Sequence, residues 1–250
     1  MFLKKIYELK KAEVKELKKG TEKRVKEVIP FERFLPDRRI IAEVKQASPS
    51  LGEIKKVDVK RQAELYEKGG AAAISVLTDK NYFNGDFKFL KEISSAVNLP
   101  ILCKDFIVDE VQIDLAYEYG ADVILLIASM LEGDELKKLF DYSKKLGLEV
   151  LVEIHEYEEL YKLKDLDVKF LGVNSRDLTT LKVNKEKALK TMSKIKGNYI
   201  KIAESGIETK EDIKRFKEAG ADMFLVGTSL MKSDNPVELL KELSEGYSCL

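Results

Sequence analysis

The chain has 250 residues, 44% hydrophobic and 35% charged, with 44 basic and 44 acidic side chains. That length allows one barrel-sized core or two small domains, and the neutral balance gives no support to nucleic acid or an acidic membrane surface as a partner. Cys103 and Cys249 stand in no metal-ligand spacing and His155 is the lone histidine, which argues against a disulfide framework or a zinc site and favours a reducing, cytoplasmic setting.

The N-terminal MFLKKIYELKKAEVKELKKG spaces its apolar residues at a helical period among lysines. It lacks the apolar core of about 7 to 15 residues and the small-residue cleavage site of a signal peptide. Residues 1 to about 35 are therefore expected to be helices added before the first strand. No apolar run reaches the roughly 18 residues needed to cross a membrane, so a soluble chain is expected. Three glutamines, no tryptophan and abundant Lys and Glu resemble thermophile usage.

Apolar runs predict eight strands, at 39–44, 72–77, 100–103, 122–127, 148–152, 168–173, 199–203 and 222–226. Between them lie helical patterns such as VDVKRQAELYEKGG, DEVQIDLAYEYG, GDELKKLFDYSKKLG and TKEDIKRFKEAG, several ending on the glycine that closes many helices. Strand followed by helix throughout specifies a parallel sheet. A shift of 100 residues lays PILCKDFIVDEVQIDLAYEYGADVILLIAS on YIKIAESGIETKEDIKRFKEAGADMFLVGTS without a gap. The repeat is a strand-helix-strand unit, and eight strands in this length predict one (β/α)8 barrel domain over 1–250, with no linker or second domain. An open doubly wound sheet would carry fewer strands and a Gly-rich fingerprint after the first, which is absent.

Seven of the eight runs end on a polar residue or glycine: Lys45, Thr78, Lys104, Glu153, Asn174, Glu204 and Gly227. Strand alternation adds Glu43, on the face of Lys45, and Arg176, on the face of Asn174. In a barrel these ends converge on one mouth, where such folds carry their active sites. A single strand-end lysine ordinarily snorkels to water. Two lysines and three glutamates turned into one cavity are harder to explain as packing, because burial and mutual charge drive pKa values toward useful acid and base strengths. Gly206 after the seventh run, and Gly227, Thr228 and Ser229 after the eighth, let backbone N–H groups approach an anion, which predicts a phosphate site. Cys103, opposite in phase to Lys104, is expected to be a small buried hydrophobe.

The motifs IAEVKQASPSLG, TDKNYFNG, PILCKDFIVDEVQI, GADVILLI, LVEIHEYEEL, GVNSRDL, IAESGI and LVGTSLM resemble, in this order and spacing, the indole-3-glycerol-phosphate synthase family. The resemblance covers almost the whole chain, from FERFLPDRR to the last helix. It implies a carboxy-lyase of tryptophan biosynthesis that cyclises, decarboxylates and dehydrates 1-(2-carboxyphenylamino)-1-deoxyribulose 5-phosphate without metal or organic cofactor. It implies Lys104 and Lys45 as acids, Glu153 as base and Glu43 as its support. Asn174, Arg176 and Ser48 would hold the substrate carboxylate or its neighbours, and Glu204 and Ser205 would complete the polar wall. Phe83, Phe106, Leu125, Leu178 and Leu181 resemble the apolar lining around the anthranilate ring. The expected partner is a phosphorylated small molecule, with no nucleic acid and no membrane, for a monomer or weak homodimer.

The chain departs from the family at Gln46 and Leu51, where a basic residue often stands. Two other readings stay open on sequence. One is another phosphosugar barrel, either an isomerase using a cysteine and an aspartate or a Schiff-base aldolase using one lysine. The other is a non-catalytic barrel, against which the polar strand ends argue.

Overall fold

The computed structural model describes residues 2–18, 20, 23–35, 37–132 and 134–248. Cys249, and Gly133 at the start of one expected helix, lie outside them. All eight predicted strands form: β1 Ile40–Val44, β2 Ala73–Leu77, β3 Ile101–Lys104, β4 Val123–Ile127, β5 Glu149–Ile154, β6 Phe170–Asn174, β7 Ile200–Glu204 and β8 Met223–Val226. Neighbours in sequence pair in parallel, and β8 returns to β1 with Ile40 opposite Phe224. The result is a closed (β/α)8 barrel, and closure leaves no strand edge in the cylinder unpaired. A two-residue antiparallel pair after β1, Ala47–Ser48 with Gly52–Glu53, lies outside the predicted set.

Alternation along each strand separates two apolar regions. Ile40, Ala42 and Val44 of β1, with Cys103, Leu126 and Val152, face the surrounding helices. Ile41, Leu102, Leu125, Leu151, Ile202 and Leu225 fill the barrel interior. The inward phase then continues upward as Glu43, Lys104, Glu153, Glu204 and Gly227. On four strands an inward apolar residue is thus followed, two residues later, by a charged group at the mouth, and on β8 by Gly227, whereas β4 stays apolar through Ile127. Cys103 is fully buried on the opposite phase, as the sequence predicts.

The expected N-terminal helical extension is present, and it is helical in its first part only. A single helix occupies Phe2–Glu13. Beyond it the described chain runs in turns and extended pieces to Leu35, because Gly20 and Pro30 break the helical run and the barrel supplies other partners. The helix lies over the mouth: Lys10 Nζ is 2.5 Å from Asp79 Oδ2 and 3.0 Å from Asp105 Oδ1, and Tyr7 Oη donates to Glu135 Oε1 at 2.6 Å. The chain then reaches the opposite end, where Arg24 Nη2 is 2.5 Å from Asp122 Oδ1 and the Ile29 amide donates to the same oxygen at 3.0 Å. Phe31, fully buried, meets Phe170 edge-on with centroids 5.0 Å apart and stoppers the barrel floor.

Candidate active site

A cavity of about 590 Å³ opens at the C-terminal ends of the strands. The structure brings Glu43, Lys45, Ser48, Phe83, Lys104, Asn174, Arg176, Leu181, Glu204, Ser205, Gly206, Gly227 and Thr228 to its wall. Four other sequence-predicted residues stand elsewhere. Glu153 is buried just behind the wall, reached through Lys104. Phe106 packs behind Phe83 with centroids 6.1 Å apart. Leu125 belongs to the barrel interior below the site, and Leu178 lines a neighbouring cavity.

Lys104 is the hub. Its Nζ lies 2.5 Å from Glu204 Oε2 and 3.3 Å from Glu153 Oε2. Burial alone would lower the pKa of this ammonium, but Glu204, Glu153 and Glu43 outweigh burial and hold it above its ordinary value. Burial is also the largest influence on Glu204; it outweighs the attraction of Lys104 and, with Glu153 adding to it, pushes the carboxyl up to about 8. Burial acts the same way on Glu153, yet Lys104, His155 and a hydrogen bond with Asn174 overcome it and keep this carboxylate below the usual range. Near neutrality the site therefore holds a cation, an anionic carboxylate and a largely protonated carboxylic acid within reach of one another. Across the cavity Lys45 Nζ pairs with Glu43 Oε1 at 2.6 Å.

Two glycines make this crowding sterically feasible. A Cβ on Gly172 would stand 2.1 Å from Glu204 Oε1, and one on Gly227 would stand 2.4 Å from Glu43 Oε1, so each carboxylate lies where a side chain would otherwise be. The NSRDL loop adds its own order. The Arg176 amide donates to Asn174 Oδ1 at 2.9 Å, and its guanidinium donates to the Leu181 carbonyl at 2.8 Å and Ser50 Oγ at 3.3 Å. On the far side Ser205 and Gly206 follow one another at φ 66° and 75°. The left-handed serine costs on the order of 1 kcal/mol, strain of the kind that collects at functional sites. Lys185, Ser229 and Lys232 also line this end, so cationic groups accompany the glycines.

Sequence reasoning passed over Lys185 and Lys232, which sit in helical patterns with no strand-end position to mark them. It also passed over Lys10, Asp79 and Asp105. Asp105 accepts from Thr78 Oγ1 at 2.6 Å, and Lys10 ties the segment after β3 to the N-terminal helix.

The fold and this mouth define a (β/α)8-barrel enzyme of acid–base chemistry. A family model described as indole-3-glycerol phosphate synthase matches residues 3–243, and the chain belongs to that family. It is 50% identical over 222 residues to indole-3-glycerol phosphate synthase of Aquifex aeolicus, covering 87% of this chain and 86% of that protein. With the same-named protein of Petrotoga mobilis the identity is 44% over 249 residues, 97% of this chain and 96% of the other. Among solved structures, 3-hexulose-6-phosphate synthase from Salmonella typhimurium superposes with a TM-score of 0.67 at 15% identity, over 83% of this chain and 97% of that one, a likeness of fold alone.

Proposed function

We propose that this chain is an indole-3-glycerol-phosphate synthase acting on 1-(2-carboxyphenylamino)-1-deoxyribulose 5-phosphate, with the whole chain working as one domain. The observation that carries the reading is Lys104 lodged between Glu153 and Glu204, opposite Lys45 and Glu43. The aromatic carbon bearing the carboxylate attacks the ketone carbon, and the ketone oxygen takes a proton from a lysine ammonium. Carbon dioxide leaves and the ring regains aromaticity. The new hydroxyl then takes a second proton and departs as water, while Glu153 removes a proton from the neighbouring carbon to complete the pyrrole ring. Preorganised ammonium groups supply both proton and charge stabilisation where oxygen becomes negative.

The other assignments follow from position. Asn174, Arg176 and Ser48 hold the substrate carboxylate and its surroundings. Phe83, with Phe106 behind it, flanks the aromatic ring, and Gly206, Gly227 and Thr228 receive the phosphate. An elevated Lys104 pKa disfavours the neutral amine that a Schiff-base aldolase needs, and Cys103, buried away from the mouth, disfavours a cysteine-based isomerase. A cytoplasmic setting belongs to the same proposal, supported by the buried Cys103 thiol, which forms no disulfide among the described residues, and a monomer or weak homodimer is proposed with it. Among the described residues no helix is long and apolar enough to cross a membrane. The test is direct: incubation with the carboxyphenylamino substrate should generate indole fluorescence. Its absence, or a covalent lysine adduct trapped by borohydride with a phosphorylated ketose, would overturn the reading.

A further inference from the structure

Two carboxyl groups flank one ammonium in this site, and the reaction needs them to differ. Glu153 takes a proton from carbon and must start as an anion, whereas the Glu204 carboxyl is pushed up to about 8 and keeps its proton. The two are hydrogen-bonded to each other, so near neutrality the pair shares one proton. Burial raises both groups, and with each only 1% exposed it does not tell them apart. Lys104 lowers both, but it lies 2.5 Å from Glu204 and 3.3 Å from Glu153, so by distance it favours the opposite assignment. The decision falls to contacts that only one of them makes.

His155 Nε2 stands 3.4 Å from Glu153 Oε1. Among the described residues that nitrogen, buried, forms no hydrogen bond, and Glu204 Oε1, also buried, is offered no amine, amide or hydroxyl donor. Asn174 adds a hydrogen bond to Glu153, yet of the groups that lower this carboxyl only Lys104 acts more strongly than His155. The ring is held from both sides. The His155 amide donates to Glu159 Oε2 at 3.2 Å, and Ser129 Oγ, 3.5 Å from Nδ1, can donate or accept, so Nε2 is able to keep its proton toward the carboxylate. Other charged groups nearby are engaged elsewhere. Glu156 pairs with Lys187, Asp177 accepts the Thr179 and Thr180 amides at 2.8 and 2.7 Å, Lys162 donates to the Ala128 and Leu131 carbonyls at 2.8 and 3.0 Å, and Lys182 is exposed.

We propose that His155 is a positioning residue that sorts the two carboxyls, making Glu153 the base and leaving the shared proton on Glu204. The inference rests on the reading of Glu153 given under the proposed function. Without the imidazole, the nearest charged partner left to the pair is Lys104, which sits closer to Glu204, so the proton moves to Glu153 and blocks the base. The block lasts only while the pair holds a proton. Above about 8 both carboxyls are ionised and the base is free again. His155 touches no substrate in this role; it acts through Glu153.

A sorting role and a structural role differ in their pH dependence. In full-length His155→Leu and His155→Ala, shown to be folded by circular dichroism and melting, kcat/KM relative to wild type should fall by about tenfold near pH 6, the effect of about 1.4 kcal/mol on the proton's placement. It should return to within about twofold of wild type near pH 9. Taking the ratio cancels titration of the substrate itself. In a Glu204→Gln background no proton is shared, so the same exchanges should change kcat/KM by one factor at both pH values. An equal loss at both pH values with Glu204 present, no loss at either, or a pH-dependent loss that persists with Glu204→Gln would each overturn the sorting role. Glu153→Gln isolates the underlying reading. If it retains wild-type activity, the base assignment fails and the inference with it, whereas a wild type that makes no indole product refutes the reaction itself.

Discussion

The two halves of the internal repeat, β3 to β4 and β7 to β8, are built alike where they fold and differently where they act. In the first, Asp122 Oδ2 accepts from the Ile101 amide at 2.8 Å; in the second, Asp222 Oδ2 accepts from the Lys201 amide at 2.8 Å. Gln112 receives the amides of Val108 and Asp109 at 2.9 and 3.2 Å, and Asp212 receives those of Glu208 and Thr209 at 3.0 and 3.1 Å. Both helices begin with a capping box. At β3 and β7 the difference lies in the three residues after each strand core, and at β4 and β8 in Ile127 against Gly227. Lys104, Asp105 and Phe106 provide a cation, an anchor and an apolar ring; Glu204, Ser205 and Gly206 provide an acid and a left-handed turn. Lys104 and Glu204 occupy the same repeat position, and they are also bonded to each other. The scaffold hydrogen bonds that every such unit needs leave the strand tip free to vary, so one architecture can bring a cation and a carboxyl group to a common centre.

The largest effect should follow from Lys104→Met. Loss of a general acid predicts a fall in kcat of ~10²- to 10⁴-fold, or ~3 to 5 kcal/mol, measurable by indole fluorescence. Retention of more than about a tenth of wild-type kcat would mean that the lysine merely neutralises its neighbours. Next comes stability. Lys104→Glu and Glu204→Lys should each cost about 3 to 5 kcal/mol in denaturant melts, since each leaves buried like charges unpaired. The double exchange should recover much of that loss while activity stays abolished, because the cation now rises from the wrong strand. Additive losses would show that the two sites are not coupled.

Glu204→Gln tests the acid half alone. The folded carboxyl, at about 8, keeps its proton at pH values where the unfolded chain has already released it. Wild-type stability should therefore decline as pH rises from the ordinary carboxylate range through about 8. The Gln variant should lack this component, so the variant's melting advantage widens between pH 5 and 8; a constant difference would contradict the assignment. The smallest effect is expected at the turn. A Cβ on Gly206, at φ 75°, would meet Val183 Cγ1 at 2.6 Å, so Gly206→Ala should raise KM several-fold and weaken competition by inorganic phosphate. A kcat within about twofold of wild type would accompany it, as for an interaction equal in ground and transition states.

Much of this was legible because strands advertise themselves locally. Eight apolar runs, their alternation and the polar residue two positions past the last inward apolar one place Glu43, Lys104, Glu153 and Glu204 at the mouth from sequence alone. What depended on neighbours far along the chain was not. Lys10 is one of many lysines in a helical pattern until Asp79 and Asp105 surround it. Gly172 gives no sign that it makes room for Glu204. Leu125 and Leu178 share a hydrophobic type with the cavity's lining residues, yet depth in the barrel sends one to the interior and loop geometry sends the other next door. The segment after Glu13 shows helical periodicity, but its partners lie on the barrel floor, which no local pattern announces.

The N-terminal segment that crosses the mouth and then stoppers the floor also fixes an order of events on the ribosome. Its helix is made before everything it binds: Lys10 must await Asp105, and Tyr7 finds Glu135 only 128 residues later. At roughly 5 to 20 residues per second, that interval is on the order of 6 to 26 seconds during which an apolar, lysine-rich helix has no cognate surface. The many lysines that looked uninformative in the sequence then serve a nascent chain, keeping the waiting helix hydrated until half the barrel has emerged to receive it.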